Sequence, residues 1–392
     1  MKQQLLILSA DEFQSRLSRL RIIMSKAGVD AMVVSDNANI YYLTGRVFAG
    51  YIFVSVNDDT KFFVRRPVGL IGDGVEYIRK PEDMAQRVNI SEFKTLGLEL
   101  GALAYSSALR LINVFSLASI ADASAILQEA RSVKTAYEIE QIALSGIKQE
   151  RVYRRVPQLY RSGMTDLDLQ IEIENISRKE GCLGLFRISG DSMELYMGNI
   201  LVGDNADNPA PYDFAMGGAG LNPSLPIGGN GSLINPTDSV MVDVNGNYTG
   251  YMTDMTRTFA VKEISPLALK AHQCSIDICH ALQLMMLPGV EAKTLHEKAE
   301  SMAREAGLHE YFMGHKQKAG FVGHGVGIEI NERPVIAPRS RDILAAGNVI
   351  ALEPKFVIPG TGAVGIENTY VVAENGIANC LTNAPEQIVM FE

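Results

Sequence analysis

Strand-like segments that border on a single charged side chain recur along the second half of the chain. Ser239–Val242 is apolar and β-branched and is followed by Asp243, while Asp254 directly precedes the segment Met255–Val261. The polar, glycine-containing residues between them predict two strands joined by a turn. A carboxylate at the end of a buried strand costs free energy unless a cation or hydrogen-bond donors satisfy it. The pattern therefore predicts a hairpin with two carboxylates that need a partner.

The register of this hairpin decides how close the two aspartates lie. A turn centred on Tyr248 and Thr249 places them opposite each other, whereas a tight turn at Asn245 and Gly246 moves them out of register. Two neighbouring carboxylates either share a proton or hold a metal ion. This segment alone leaves both options open.

Three further ionisable side chains follow a similar pattern downstream. His324 lies within Gly323–Gly327, where the glycines indicate that backbone or a ligand approaches closely. Glu353 and Glu367 each follow an apolar segment, and the loop Pro359–Gly362 lies midway between them. An antiparallel hairpin around that loop would set the two glutamates side by side.

Together these side chains make an oxygen-rich set with one imidazole. Such a set suits a pair of manganese, cobalt, iron or zinc ions better than a single structural zinc ion. The alternative, a set of unrelated solvated carboxylates, requires all four to point outward from strands whose composition is typical of a protein interior. We therefore predict a metal site.

The motifs around these residues resemble the creatinase, prolidase and methionine-aminopeptidase superfamily, which has the pita-bread fold, and are most similar to its Xaa-Pro peptidase branch. They occur in the family's order and are Asp243-Val-Asn-Gly, Gly250-Tyr-Met-Thr-Asp254-Met-Thr-Arg-Thr, Gly323-His-Gly-Val-Gly, Glu353-Pro-Lys-Phe and Gly365-Ile-Glu367-Asn-Thr. The resemblance implies two divalent metal ions per chain, with manganese favoured. The ligands it implies are Asp243, Asp254, His324, Glu353 and Glu367.

The same resemblance implies a function and a mechanism. It implies a dinuclear metallopeptidase that removes the N-terminal residue before proline from dipeptides or short peptides, with Glu353 carrying the proton from water to the leaving nitrogen. Thr256 and Asn368 adjoin ligands, and these two residues and Asn331 are candidates to contact the ligands or the substrate. The resemblance also implies a homodimer.

Several positions depart from the family's pattern. Histidines that usually support catalysis are replaced in the region of Pro226 and by Gly320 and Asn331, and an arginine two residues before the last glutamate is replaced by Gly365. Asn331 can form hydrogen bonds but carries no proton near neutral pH. These departures keep a second possibility open, a pita-bread relative that acts on another small substrate as a non-peptide C–N hydrolase or a lyase. A non-catalytic binding module is a third.

Helical and strand periodicities predict two domains. Residues 1–128 are expected to form an α/β domain like the creatinase and prolidase N-terminal domain, with a mixed sheet and flanking helices, and residues 129–392 an α+β pita-bread catalytic domain. Thr135–Glu138 is a capping box that begins the first helix of the second domain. Helices are predicted at residues 135–160, 165–180, 266–287 and 292–306. Residues 198–236, rich in Gly, Pro and Asn, are predicted to be an irregular active-site loop.

Composition narrows the possible partners and locations. The chain has 392 residues, 47% of them hydrophobic, and a net charge of −9, which disfavours binding to nucleic acid. It contains no apolar stretch long enough to predict a membrane span. Four cysteines do not indicate a disulfide framework, so a reducing cytoplasm is expected. Cys274 and Cys279 lie with His272 and His280 on one helical pattern, which favours core packing over a zinc site.

Overall fold

The computed structural model describes residues 2–57, 60–89, 92–190, 195–214 and 216–392. The chain divides into two compact units, Met1–Arg131 and Ser132–Glu392. Among the described residues, no helix combines the length and apolar character needed to cross a membrane. The four cysteines are free thiols.

The first unit is built on a mixed six-stranded sheet in the order β6-β4-β3-β2-β7-β8. Strand β2 pairs antiparallel with β3 and parallel with β7, and β3 pairs antiparallel with β4. The elements, in chain order, are β1 Gln3–Gln4, α1 Ala10–Lys26, β2 Ala31–Val34, α2 Asn37–Thr44, β3 Ala49–Ser55, β4 Lys61–Arg66, β5 Leu70–Ile71, β6 Val75–Tyr77, β7 Thr95–Leu98, α3 Tyr105–Val114, β8 Ser119–Asp122 and α4 Ser124–Ser132.

In its described residues, the second unit combines four α-helices with two larger sheets and two short hairpins. Its elements are α5 Ala136–Tyr153, α6 Asp166–Lys179, β9 Gly198–Val202, β10 Ser239–Val244, β11 Gly246–Asn247, β12 Met252–Thr253, β13 Thr256–Ala260, α7 Pro266–Met285, α8 Ala292–Glu305, β14 Gly323–Gly325, β15 Glu332–Ile336, β16 Val349–Leu352, β17 Lys355–Ile358, β18 Gly362–Gly365, β19 Asn368–Val371, β20 Asn379–Cys380 and β21 Val389–Met390.

Each larger sheet of this unit packs against its own pair of helices. The sheet β21-β13-β10-β9 shares a core with α5 and α6, in which Ile173 and Val242 are fully buried. The sheet β15-β14-β16-β19-β20 shares a core with α7 and α8, in which Leu282 and Ile350 are fully buried. Two layers of helices on two sheets keep both sheets rigid, so side chains at their edges are held in fixed positions.

The four predicted helices of the second unit are present with ends that differ by a few residues. Thr135 and Glu138 form the predicted capping box at the start of α5, because each side chain binds the other residue's backbone N–H. Cys274 and Cys279 are buried on α7 in the helical core, as the periodicity favoured.

The prediction that residues 198–236 are wholly irregular was wrong at its start. Gly198–Val202 is strand β9, which pairs antiparallel with β10 along its whole length. Every residue of β9 is buried, so the alternation of polar and apolar positions that marks a half-exposed strand is absent. The sequence did not predict this strand, because the residues that follow it are rich in glycine, asparagine and proline.

Candidate metal centre

The hairpin that carries the two aspartates has a register that neither sequence alternative anticipated. Asp243 pairs with Thr256 in β10 and β13, and Gly246 pairs with Thr253 in β11 and β12. The turn is therefore centred between residues 249 and 250, and Asp254 lies diagonally across from Asp243 rather than directly opposite it. Diagonal neighbours on one face of a hairpin remain within reach of each other.

Asn245 explains why the Asn-Gly pair does not form the turn. Its backbone N–H and its side-chain amide both donate to the carbonyl oxygen of Met197, and it is 3% exposed. The tight turn is supplied instead next to Gly250, whose φ of +93° is a left-handed conformation that favours glycine.

The hairpin that carries the two glutamates has the predicted register. Leu352 pairs with Asn368 on one side, and Lys355 pairs with Gly365 on the other. Glu353 and Glu367 lie opposite each other between these pairs, so the prediction that they are side by side is confirmed.

Thr256 joins the two hairpins at the site. The backbone N–H of Glu367 donates to the carbonyl oxygen of Thr256 at 3.1 Å, and the Thr256 hydroxyl donates to Glu367 Oε2 at 2.7 Å. His324 enters from β14, where it pairs with Ala351 of β16. The five predicted side chains are thereby brought together, and each is at most 9% exposed.

Two overlapping groups of donor atoms form within this cluster. Asp254, His324 and Glu367 each place one donor atom within 4.8 Å of the others, and Asp243, Glu353 and Glu367 do the same. His324 Nε2 lies 3.3 Å from Glu353 Oε1 and 3.8 Å from Asp254 Oδ2. Glu367 belongs to both groups, so the cluster is continuous.

Lys355 also belongs to the cluster, although the sequence analysis did not single it out. Its Nζ lies 2.8 Å from Asp243 Oδ2, 2.8 Å from Glu353 Oε2 and 3.4 Å from Glu367 Oε2. The signal was present in the sequence, because residues two apart on a strand point to the same face and Lys355 is two residues after Glu353.

Charge and burial divide the carboxyl groups into two kinds. Burial and the negative charge of Asp243 raise the pKa of Asp254 to about 7. Burial and the charge of Asp254 raise the pKa of Glu367 well above its usual range. In the protein alone, these two groups therefore hold protons readily, and a cation bound there would displace those protons.

Glu353 and His324 form the opposite pair. Burial favours the neutral form of Glu353, but the positive charges of Lys355 and His324 outweigh it and lower its pKa to about 2. Burial likewise disfavours a charged His324, but the adjacent carboxylates of Glu353 and Asp254 raise its pKa to about 9. Glu353 is thus held as a carboxylate with the imidazole beside it.

Two oxygen atoms in the cluster indicate that its residues fit a cation. Among the described residues, Glu353 Oε1 and Glu367 Oε1 are buried without a hydrogen-bond partner, although Glu353 Oε1 faces His324. Buried acceptors are nearly always paired, because an unpaired one costs about 1–3 kcal/mol. Carboxylate oxygens beside an imidazole are a donor set suited to divalent transition metals.

The cluster forms one end of a cavity of about 190 Å³. Carboxylates and His324 contribute to its lining, while the rest of its lining is mainly apolar. The other side chains lining it are Phe186, Ile188, Asp213, Phe214, Asn245, Phe321, Ile330, Asn331 and Val335. Asp213 and Phe214 belong to the predicted active-site loop, so part of that loop does reach the cavity.

Asn331 lies in the cavity wall, where both ends of its amide group are engaged. Its Oδ1 accepts from the backbone N–H of Ser189 at 2.8 Å, and its Nδ2 donates to the carbonyl oxygen of Ser189 at 3.0 Å. The adjacent Ile330 N–H donates to the carbonyl oxygen of Arg187. Asn331 thus fixes the wall segment that contains Phe186 and Ile188.

The other positions named by the sequence analysis have different surroundings. Thr256 contacts Glu367 directly, whereas the Asn368 side chain accepts from Arg257 Nη2 at 2.7 Å and donates to Glu386 Oε1 at 2.8 Å. Arg257, which the sequence analysis also missed, donates to the carbonyl oxygen of Glu367 at 2.8 Å. The Asn368 amide therefore contacts Arg257, and Arg257 in turn holds the backbone of Glu367.

Gly320 lies against Asp213 at the cavity. Its N–H donates to Asp213 Oδ1 at 2.9 Å, and a Cβ atom at this position would lie 2.9 Å from Asp213 Oδ2. A larger side chain here, such as the histidine of the family's pattern, would displace the Asp213 carboxylate. Glycine in place of that histidine thus leaves room for the Asp213 carboxylate at the cavity.

Comparisons with known proteins identify the class to which this fold and cluster belong. Residues 140–374 match the family described as "Metallopeptidase family M24", and residues 16–133 match the "Creatinase/Prolidase N-terminal domain". The first match covers more than half of the chain, and the chain therefore belongs to metallopeptidase family M24. The predicted resemblance and fold class, an α/β N-terminal domain with a mixed sheet and a pita-bread catalytic domain, are confirmed.

Similar proteins extend over nearly the whole chain. The "Uncharacterized peptidase YqhT" of Bacillus subtilis is 26% identical over 388 residues, which are 96% of this chain and 100% of that protein. The "Xaa-Pro dipeptidase" of Pyrococcus furiosus is 26% identical over an alignment of 397 positions that covers 96% of this chain and 100% of that protein. The crystal structure of an X-Pro aminopeptidase from Thermotoga maritima aligns with a TM-score of 0.77 at 23% identity, covering 95% of this chain and 99% of that one.

Proposed function

We propose that the protein is a metal-dependent peptidase that removes the N-terminal residue before proline from short peptides. The observation that carries this proposal is the convergence of Asp254, His324 and Glu367 beside Glu353 Oε1 and Glu367 Oε1, two buried oxygens without a hydrogen bond among the described residues. Family membership supports a metal-dependent hydrolase, and the name of the Pyrococcus furiosus relative supports specificity for proline.

The proposed cation-binding set is Asp243, Asp254, His324, Glu353 and Glu367. Manganese is the ion to test first, because oxygen donors with one imidazole suit it. A divalent ion held there would supply a Lewis acid that polarises the scissile carbonyl and makes a water molecule more acidic.

Glu353 is the proposed proton carrier. Lys355 Nζ fixes its Oε2 at 2.8 Å, which leaves Oε1 beside His324, another residue that lines the cavity. From that position Glu353 accepts a proton from the attacking water and passes it to the leaving nitrogen of the peptide. General acid–base help of this kind typically contributes about 10²–10⁴-fold in rate.

The cavity walls supply the proposed specificity. Apolar side chains, among them Phe186, Phe214 and Phe321, suit a proline ring and the side chain before it. The Asp213 carboxylate can pair with the α-ammonium group of the N-terminal residue. Among the described residues that line the cavity there is no lysine or arginine, so the C-terminal carboxylate of a dipeptide meets no matching charge.

A substrate panel with manganese-loaded protein tests the proposal. The panel contains Ala-Pro, Met-Pro and a longer Xaa-Pro peptide, with Asp254→Asn and Glu353→Gln as variants. We expect wild-type cleavage of at least one of them, and its loss in both variants. No cleavage of any peptide by the wild-type protein would contradict the peptidase proposal.

A second candidate function is hydrolysis or elimination at a C–N bond of another small molecule. It is favoured by Asn331, whose amide is fully engaged with Ser189 and does not replace the supporting histidine of the family's pattern. A panel of small amides and amidines with the same metal-loaded protein distinguishes the two candidates.

A homodimer remains part of the proposal, on the basis of the family resemblance. Light scattering at micromolar concentration tests it, and a monomer would contradict it.

A further inference from the structure

Lys355 gives one side of the cluster a positive charge of its own. Its side chain is fully buried, and its Nζ is in contact with one oxygen each of Asp243, Glu353 and Glu367. The three oxygens are Asp243 Oδ2, Glu353 Oε2 and Glu367 Oε2. These are atoms of the three residues that make up one of the two donor groups of the cluster.

The remaining donors lie on the other side. Glu353 Oε1 and Glu367 Oε1 have no hydrogen-bond partner in the described part of the chain, and they belong to the same carboxylates whose Oε2 atoms contact Lys355. His324 Nε2 lies 3.3 Å from Glu353 Oε1, and Asp254 Oδ2 lies 3.8 Å from His324 Nε2. The cluster is thus divided between oxygens that face an ammonium group and donors that do not.

Lys355 is held in this position by its strand. It lies on β17 opposite Gly365, and a Cβ atom at Gly365 would lie only 3.1 Å from Lys355 Cα, so the glycine leaves room for the lysine strand. All the hydrogen bonds described for its Nζ go to the cluster. Turning the ammonium away would leave a buried charge without acceptors, which is strongly unfavourable.

An ion cannot share that space with the ammonium group. Metal–carboxylate distances are about 2.0–2.2 Å for zinc, so an ion bound by the three oxygens would nearly coincide with Nζ. We propose that the Lys355 ammonium takes the place of one of the two cations expected in such a cluster, so that the centre binds a single divalent ion between Asp254, His324, Glu353 and Glu367. This inference rests on the proposed function, because it presupposes that the cluster binds metal.

Metal stoichiometry tests the inference directly. Wild-type protein is saturated with manganese(II), freed of excess ion, and measured by elemental analysis and by low-temperature electron paramagnetic resonance. We expect one manganese per chain with the hyperfine pattern of an isolated ion. In Lys355→Ala, which removes the ammonium and opens the space, we expect two ions per chain and a spectrum of two exchange-coupled ions.

Lys134 offers a matched control. Its Nζ is also fully buried and pairs with Glu332 Oε2 at 2.9 Å, but neither residue belongs to the cluster. Lys134→Ala removes a buried ammonium from a carboxylate in the same way, and we expect it to keep one manganese per chain. A second ion in this variant would show that loss of a buried ion pair, rather than loss of Lys355, changes the stoichiometry.

The possible outcomes separate the two proposals. Two exchange-coupled ions in the wild-type protein would overturn the role of Lys355 while leaving the metal centre intact. A single ion in a folded Lys355→Ala variant, checked by circular dichroism, would also overturn it. No bound manganese in the wild-type protein would overturn the proposed metal-dependent function itself. If the variant does not fold, the wild-type stoichiometry alone decides.

Discussion

The side-chain amide of Asn331 forms two hydrogen bonds with the backbone of Ser189, at 2.8 and 3.0 Å. The Ser189 hydroxyl adds two more, to Asn331 O at 3.1 Å and to Asn331 Oδ1 at 3.3 Å. They hold the segment that carries Phe186 and Ile188, so Asn331 positions part of the cavity wall.

We therefore predict that Asn331→Ala weakens substrate binding more than it slows the chemical step. Each lost hydrogen bond is worth about 0.5–1.5 kcal/mol, so loss of the two amide bonds should raise KM by roughly 5- to 150-fold with a smaller change in kcat. Steady-state kinetics on an Xaa-Pro peptide measure both quantities. Ser189→Ala is the graded comparison. It keeps the two backbone bonds to the amide and loses only the hydroxyl's bonds to Asn331 O at 3.1 Å and Oδ1 at 3.3 Å, so it should raise KM by a smaller factor.

Asn331→His should behave like Asn331→Ala rather than gain activity. An imidazole cannot donate to the Ser189 carbonyl and accept from the Ser189 N–H in the same geometry, so the cavity wall loosens even as a titratable group is added. The same kinetic measurements decide this. A rise in kcat with an unchanged KM would contradict the positioning role of Asn331.

Metal binding is predicted to stabilise the folded protein through Asp254. An ion that binds only the folded state stabilises it by about 2.7 kcal/mol at one hundred times its Kd. Manganese should therefore raise the Tm of the wild-type protein, and the rise should be largely lost in Asp254→Asn. Thermal unfolding with and without manganese measures it, and an equal rise in the variant would exclude Asp254 as a ligand.

The charge of the substrate's C-terminus is predicted to affect cleavage. Since the described cavity lining contains no lysine or arginine, an Ala-Pro dipeptide places its carboxylate among apolar walls and acidic side chains. The neutral analogue, Ala-Pro amide, avoids this cost and should have the higher kcat/KM. Faster cleavage of the free dipeptide would show that a cation outside this lining binds the carboxylate.

His272 is predicted to make the fold sensitive to acid. Burial, with a smaller effect of the positive charge of Arg257, lowers the pKa of His272 to about 4, although its ring nitrogen Nε2 lies 2.8 Å from the carbonyl oxygen of Glu386. In the unfolded chain the same imidazole takes up a proton near pH 6.5, so the unfolded state binds more protons between these values. Stability should therefore fall as the pH decreases from about 6.5 to 4.

The expected loss from His272 alone is about 3 kcal/mol, at about 1.4 kcal/mol for each pH unit of the difference. Urea unfolding of wild type and His272→Gln at neutral and acidic pH measures it. The variant should lose less stability on acidification, since glutamine does not titrate. The same dependence on pH in both proteins would mean that other groups cause the acid sensitivity.

The sequence predicted the strand register correctly where two charged residues lie at equal distances from a glycine-containing loop. Glu353 and Glu367 are equidistant from a loop rich in glycine, and the register that places them opposite each other is the observed one. The aspartate hairpin has no such symmetry. Its turn depends on Asn245, which binds Met197, a partner distant in sequence that no local pattern reveals.

Lys355 was missed for a different reason. A lysine beside an apolar strand is usually exposed to solvent, and the resemblance to the family directed attention to the ligand positions. Only the two-residue spacing between Glu353, which follows β16, and Lys355, the first residue of β17, places them on the same face of the extended chain. Gly365 occupies the position at which the family's pattern has an arginine. The residue paired with Gly365 is Lys355, so the opposite strand carries a positive charge at this point.

The Lys355 ammonium group is part of the chain, so it is in place as soon as the chain has folded and does not have to bind from solution. Three carboxylates that would repel one another are brought together around an ammonium group while the strands pair, before any ion is captured. We therefore expect the protein to fold in a metal-free medium and to be activated by manganese along a simple hyperbolic curve, as one independent binding event. Binding of one manganese ion would then be sufficient to activate each chain.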